Sequence, residues 1–366
     1  MTTLVTGADG YLGRRIAARL LATGDEALLL TVRAADPAEL AAKRTSLLAE
    51  LGADAARRAT VTAVDLTAPD AFASVQTRGV RRIVHAAART AFTVDRDTAE
   101  AVNVAGAERI ADHARRCPGL ERVVALSTLF SAGRRSGLVT EDPHDVDPGF
   151  VNWYEWSKYT AEQRLLAGYA DLPLTVARLA TVVADDDTGT VIQHNAFHNT
   201  LKLFFYGLMS LVPGDPATPM YLATADFTAR GVAYLADPRT PDGCYHVAPA
   251  PAEAIALGEL IDAAFEVFDA DPGFRRRRLL RPEFCDVQSF RDLVDAAHRF
   301  GAGPLRQAAA SVAPFTEQLF LPKEFDNRRL RTAWGDYAVP PSRQLVAAAC
   351  TELVRTRWGR TGGSTS

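Results

Sequence analysis

Tyr154 and Lys158 stand four residues apart in Tyr154-Glu155-Trp156-Ser157-Lys158, a spacing that puts both side chains on one face of a helix. An ammonium beside a phenol lowers the phenol's pKa from about 10 towards working pH. Tyr154 could then give a proton to a substrate oxygen or take one from it. With nine tyrosines in the chain such a pair arises easily by accident, so it needs company. Company is present in Ser127-Thr128, two hydroxyls at the end of an apolar run from Arg122 to Leu126. Ligands gather at such strand ends in open α/β sheets, and either hydroxyl could support a developing oxyanion.

The element that must position these groups opens the chain. In Leu4-Val5-Thr6-Gly7-Ala8-Asp9-Gly10-Tyr11-Leu12-Gly13 a strand turns through three glycines into a helix predicted over about Gly10 to Ala22. Gly7 permits the tight turn, Gly10 lets a pyrophosphate approach the backbone, and Gly13 lets helix and strand pack closely. The free N–H groups and positive dipole end of the helix favour an anion. Thr6, Gly7, Gly10, Tyr11, Leu12 and Gly13 are therefore candidate cofactor-binding residues. Further strands are expected at Ala27 to Val32, Thr60 to Val64, Arg82 to His85 and Leu174 to Leu179, alternating with helical segments. That alternation predicts an α/β fold, a Rossmann-type doubly wound parallel sheet. Arg33 ends the second strand where an NAD-dependent protein carries an acidic residue for the ribose hydroxyl. An arginine forks onto a 2′-phosphate instead, with Lys43 and Arg44 close by, so NADPH is the expected cofactor. Ala86, Ala87 and Ala88, small residues after the fourth strand, leave room for it at the switch point of the sheet. His85 reads as a packed core histidine with no catalytic role.

Composition bounds the rest. At 366 residues, 48% hydrophobic and 23% charged, the chain is ordinary for a globular protein. A net charge of −3 offers no basic field for nucleic acid. No apolar run reaches the length of a membrane span, and a cytoplasmic location is expected because no leader pattern precedes the first strand. Cys117, Cys244, Cys285 and Cys350 are too scattered for a disulfide framework. No metal is expected: Asp185-Asp186-Asp187 are adjacent loop residues, and His194 and His198 lack the glutamate of a metalloprotease helix. Arg275 to Arg278, with Arg281, read as a solvated face, with a dock for a phosphopantetheine group or an acidic carrier protein as the sharper alternative. We expect a nucleotide-binding domain over 1–180 and a smaller, mostly helical C-terminal substrate region over 181–366, with 226–248 returning to the core. A long apolar helix is expected over Asn195 to Leu211 within that region.

These motifs resemble those of the extended short-chain dehydrogenases/reductases. The Gly-x-x-Gly-x-x-Gly spacing, Asn103-Val104-Ala105-Gly106, Ser127-Thr128-Leu129-Phe130-Ser131-Ala132-Gly133 and the Tyr-Lys pair all follow that pattern. Leu30-Thr31-Val32-Arg33-Ala34, Val84-His85-Ala86-Ala87-Ala88 and Asp187-Thr188-Gly189 draw the likeness towards thioester reductases. That group includes the reductase domains of carboxylic acid reductases and peptide synthetases, and the fatty acyl-CoA reductases. The likeness covers about Thr3 to Leu235. It implies that Thr128, Tyr154 and Lys158 are catalytic, that Asp65 and Leu66 meet the adenine, and that Asn103 either holds a water or bonds to a backbone carbonyl. It implies NADPH-dependent reduction of an acyl thioester, bound to coenzyme A or to a carrier protein supplied in trans, to an aldehyde or onward to an alcohol. The C-terminal phenylalanines and leucines would roof an acyl channel. Arg178-Leu179-Ala180 departs from the Arg-Pro-Gly usual in the group. The alternatives on the same scaffold are a sugar-nucleotide epimerase or dehydratase and a ketone or hydroxysteroid-type reductase. A non-catalytic NADPH-binding regulator is the alternative outside enzymes.

Overall fold

Alternating apolar strands and helices assemble as the pattern requires. A computed structural model of the protein describes residues 1–145, 147–300 and 316–359. Its centre is a seven-stranded, fully parallel sheet of β1 (Thr2–Thr6), β2 (Ala27–Val32), β3 (Ala59–Ala63), β4 (Val80–His85), β5 (Arg122–Thr128), β6 (Leu174–Leu179) and β7 (Gly243–Val247), in the order β7-β6-β5-β4-β1-β2-β3. The order reverses between β1 and β4, the crevice in which such sheets bind ligands. β5 runs two residues beyond the expected Leu126, because Ser127 and Thr128 pair with Arg178 and Leu179 of β6.

Both faces are covered, which is why the strands read as near-continuous apolar runs. On one face lie α1 (Tyr11–Thr23) and α2 (Pro37–Leu51), joined by a helix from Ala225 to Leu235, with Ile16, Leu47, Phe227 and Val232 buried there. On the other lie α3 (Ala105–Arg115) and α4 (Trp153–Gly168), with Ile110, Ala161 and Leu165 buried. A π-helical turn over Glu100–Val104 leads into α3, an irregularity of the kind that gathers at functional sites.

The C-terminal helices form their own core. α5 (Ala196–Tyr206), α6 (Leu257–Ala270) and α7 (Ser342–Arg355) bury Leu201, Phe204, Phe205, Ile261, Phe265, Phe268, Val346 and Leu353 together. α5 is shorter than expected, since Gly207 ends it in the left-handed conformation at φ 68°. Phe205 packs on Phe268 and Phe274 at 5.2 and 5.4 Å between ring centroids, so these rings belong to the core of the lobe.

This lobe is pressed against the turn Asp185 to Thr190. Gly189 sits at φ +82°, and a Cβ there would lie 2.3 Å from the Ala348 carbonyl carbon of α7. Gly189→Ala should therefore destabilise the protein by roughly 1–3 kcal/mol or more, measured as a lower midpoint in chemical denaturation; an unchanged midpoint would show that α7 is not seated on this turn.

Candidate active site

The turn after β1 is shaped by what side chains would obstruct. Gly7 has φ +64°, and a Cβ on it would lie 2.7 Å from Ala87 Cα beyond β4; one on Gly13 would lie 2.1 Å from the Gly7 carbonyl oxygen. The Gly10 N–H donates to the Gly7 carbonyl at 2.9 Å. Gly10 caps α1 with no side chain, and the first turn carries no acidic residue. Its amides are left for an outside acceptor, so the residues present fit a dinucleotide's pyrophosphate. Thr6 braces the turn: its hydroxyl lies 2.8 Å from His85 Nδ1 and accepts from Ala87 N–H at 3.2 Å. Burial pushes His85 down to about 3, so this histidine is a neutral brace.

Around the turn, the expected residues divide. Arg33 is 73% exposed on its side chain, with Asp65 3.6 Å away, at the end of β2 where a ribose would lie. Arg44 is turned elsewhere and donates to the Val61 carbonyl at 2.9 Å. Lys43 reaches the loop instead, 3.1 Å from Asp9. Asp65 closes an Asx turn on Thr67 N–H at 2.9 Å, and Leu66 packs on Gly106 of α3. The Tyr11 hydroxyl donates to Asp185 at 3.2 Å, and Arg15 also pairs with Asp185; the nucleotide loop is thereby tied to the start of the C-terminal lobe. Ala86, Ala87 and Ala88 are half-buried past β4, and Leu12 is half-buried on α1. Asn103, on the π-helical turn, accepts from Arg89 N–H at 2.7 Å and donates to the Arg89 carbonyl and Ser157 Oγ, both at 2.9 Å. These bonds clamp the π-helical turn to the loop that follows β4.

Three residues of β5 meet three residues of α4. The Thr128 and Tyr154 hydroxyls face one another, near enough for Thr128 to act on the phenol. Lys158 donates to the Leu126 carbonyl at 2.5 Å. Ser127 donates to Glu162, so it is Thr128 that faces Tyr154. Thr128 also accepts from Phe130 N–H at 3.2 Å, which fixes its rotamer at the strand end. The rings of Phe92 and Phe130, 5.5 Å apart, form an apolar wall beside this pair, with Phe92 5.7 Å from the Tyr154 ring.

One expectation about acidity is reversed. Burial pushes the Tyr154 phenol up to about 12, Thr128 partly opposing the rise. The Lys158 ammonium is turned to a strand carbonyl and is not among the groups acting on the phenol. Burial also brings Lys158 down to about 8, with Glu162 acting the other way. The arrangement suits a proton donor, because a phenol with so high a pKa keeps its proton over the whole physiological range.

Sequence reasoning missed the polar layer beneath. Glu162 accepts from Arg178 Nε at 3.0 Å and from its terminal nitrogen at 2.8 Å, and His144 Nε2 lies 3.8 Å from the same carboxylate. Glu155 accepts from Val151 N–H at 3.1 Å and from Gln318 at 2.9 Å, while Lys323 donates to Gln318 at 2.5 Å. The only signal for Glu162 was its spacing, four residues beyond Lys158 on the same face. Gln318 and Lys323 gave none, being some 160 residues distant. His198, in contrast, is structural. Its Nδ1 accepts from Asn195 N–H at 3.0 Å and its Nε2 lies 2.9 Å from the Val183 carbonyl. Among the described residues no group of His, Cys, Asp or Glu could hold a metal ion, and no helix is long and apolar enough to cross a membrane.

Comparison with known proteins bears on this site. The NAD-binding family described as male sterility protein matches residues 5–232. The chain is 31% identical over 213 residues to an isonitrile lipopeptide synthase of Streptomyces coeruleorubidus, covering 54% of this chain but spanning only 14% of that protein. It is 23% identical over 349 residues to an alcohol-forming fatty acyl-CoA reductase of Simmondsia chinensis, covering 74% of this chain and 71% of that one. Among solved structures, the terminal R domain of the myxalamid PKS-NRPS biosynthetic pathway matches with a TM-score of 0.76 at 20% identity, over 98% of this chain and 91% of that one. A UDP-glucuronic acid 4-epimerase of Bacillus cereus, in complex with NAD, matches with a TM-score of 0.65 at 16% identity, over 98% and 100%. These two structural likenesses establish the shared fold.

A methyl at Gly7 has nowhere to go without pushing Ala87 aside. Gly7→Ala should weaken dinucleotide binding at least tenfold, read by calorimetric titration with NADPH, while far-ultraviolet circular dichroism stays unchanged; wild-type affinity would show that the turn is not the binding element.

Proposed function

The chain belongs to the NAD-binding male sterility protein family, an extended short-chain dehydrogenase/reductase lineage, and from that premise we propose that it reduces an acyl thioester to an aldehyde with NADPH. The observation that carries the reading is the apposition of two buried hydroxyls, Thr128 and Tyr154, at the C-terminal end of β5. The glycine turn serves the same edge of the sheet.

Thr6, Gly7, Gly10, Tyr11, Leu12 and Gly13 would hold the pyrophosphate, with Asp65 and Leu66 at the adenine. Arg33, exposed and able to fork, would take a 2′-phosphate. Lys43 stands nearer the loop than Arg44, whose guanidinium would first have to leave Val61. Ala86, Ala87, Ala88 and Asn103 would border the nicotinamide half, and Lys158 would hold its ribose. The cofactor's contribution when bound is a hydride for the carbonyl carbon.

The chain's own residues act on the oxygen. Tyr154, protonated at neutral pH, and Thr128 would both donate to the carbonyl oxygen, and these bonds strengthen as negative charge gathers there. When the carbonyl re-forms, the C–S bond breaks, the thiolate departs and takes a proton, and an aldehyde remains. Phe92 and Phe130 give the carbonyl an apolar flank that excludes water and suits an acyl chain. The acyl group would arrive on coenzyme A or on a carrier protein in trans. Arg275, Arg276 and Arg278 are exposed and Leu280 is 90% exposed, while Arg277 lies over the Phe205 ring at 4.8 Å and Arg281 pairs with Asp262. This basic, partly apolar face is the one an acidic carrier would suit.

The second reading is an epimerase, favoured by the NAD-bound fold neighbour. It is distinguished by tightly retained NAD on purification. A dehydratase is disfavoured, since Leu129 and Phe130 stand where its acidic pair would follow the strand-end threonine.

In the presence of NADPH and a series of acyl-CoA thioesters, the protein should consume cofactor and release free thiol. Tyr154→Phe should lower that turnover by about 100-fold or more, and Thr128→Val by a similar order, with NADPH binding retained in both. Absence of cofactor consumption at every chain length, or full turnover in Tyr154→Phe, would refute the reading.

A further inference from the structure

Beneath the hydroxyl pair lies a charge that the proposed reaction does not use. Tyr154, Lys158 and Glu162 occupy successive turns of α4, and all three are buried, Glu162 at 2% exposure. A carboxylate so placed is costly unless it is paired and hydrogen-bonded. Here Ser127 donates to one oxygen and Arg178, itself 1% exposed, donates twice to the other, at 2.8 and 3.0 Å. Arg178 is held in turn by the Asp142 carbonyl at 3.0 Å and the Thr140 carbonyl at 3.4 Å. The carboxylate is thus fixed from β5 and β6 at once.

We propose that Glu162 is a positioning residue of the site: its carboxylate, anchored by Ser127 and Arg178 one helical turn beyond Lys158, keeps Lys158 in its ammonium form and seated on β5. Lys158 has left water, and its one described hydrogen bond is to the Leu126 carbonyl, a dipole without a full charge. Such an ammonium loses its proton readily unless a nearby anion holds it, and Glu162 is the anion that acts on it. From the other elements packed around the pair, Arg178 of β6 presents its guanidinium to Glu162 itself, and the buried titratable groups carry no charge. His85 of β4 is pushed to about 3, His144 before α4 to about 4 and His246 of β7 to about 3, each chiefly by burial, so all three are neutral at working pH. Burial raises Cys244 of β7 to about 11 and Tyr154 to about 12, leaving both uncharged as well. Burial alone would also raise Glu162, but Arg178 foremost holds it below the usual carboxylate range. The inference rests on the reading of Lys158 as part of the site and is independent of which substrate is reduced.

Lys43, Lys158, Lys202 and Lys323 are the chain's lysines, so selective ¹³Cε-lysine labelling of the full chain gives few signals to follow by NMR against pH. The Lys158 resonance is identified by its loss in Lys158→Met. In Glu162→Gln its titration midpoint should fall by about one pH unit or more, with Lys43 and Lys202 unmoved, while Glu162→Asp, which keeps the charge, should stay near wild type. Because Glu162→Gln leaves Arg178 buried without a counter-charge, Glu162→Gln/Arg178→Gln provides a variant with neither charge, and the same fall is expected there. A Lys158 midpoint unmoved in either folded Gln variant, or lowered as far in Glu162→Asp as in Glu162→Gln, would overturn the proposal. The titration needs no substrate, so a wild-type protein inactive on every thioester bears on the proposed reaction alone.

Discussion

The structure depends on how one helix lies on one strand. α4 runs along β5 so that Tyr154 meets Thr128, Lys158 meets the Leu126 carbonyl and Glu162 meets Ser127. Each contact is buried and polar, and a buried polar group left without its partner costs roughly 1–3 kcal/mol. Sliding the helix by a single turn would break all three, so its register is strongly fixed. Asn103 adds a lock from the side by joining Ser157 to the chain beyond β4. Thr128 and Tyr154 are brought together in this way by the buried groups around them.

The same logic explains which parts could be read from the chain alone. Parallel strands buried on both faces carry their own signature, so the sheet, the glycine turn and the Tyr154–Lys158 pair were legible in local spacing. Side-chain direction was not. Arg44 and Lys43 are neighbours, and only the packing of α2 on the sheet decides that Lys43 turns to Asp9 while Arg44 turns to Val61. The effect of Lys158 on Tyr154 was misjudged for a related reason. Spacing puts both on one face, but burial dominates the phenol and a strand carbonyl takes the ammonium.

The C-terminal third was the least legible. Its phenylalanines suit either a channel wall or a core, and composition cannot separate the two. Packing places Phe265, Phe268 and Phe274 in the core, where they meet Phe204 and Phe205 ring to ring. Apolar surface beside the hydroxyls comes from Phe92 and Phe130, residues that follow β4 and β5. Long-range partners such as Gln318 and Lys323, which brace Glu155 at the start of α4, leave no trace in local sequence. They tie the C-terminal segment to the helix that carries Tyr154, so the lobe and the site are mechanically joined.

The central claim is that these two hydroxyls serve hydride addition to a thioester carbonyl. The direct test is to incubate the protein with an acyl-CoA and NADPH dideuterated at C4, trap the product as an oxime and weigh it by mass spectrometry. The account predicts an aldehyde bearing one deuterium on the former carbonyl carbon, released together with free thiol. An intact thioester, or an aldehyde without deuterium, would contradict it.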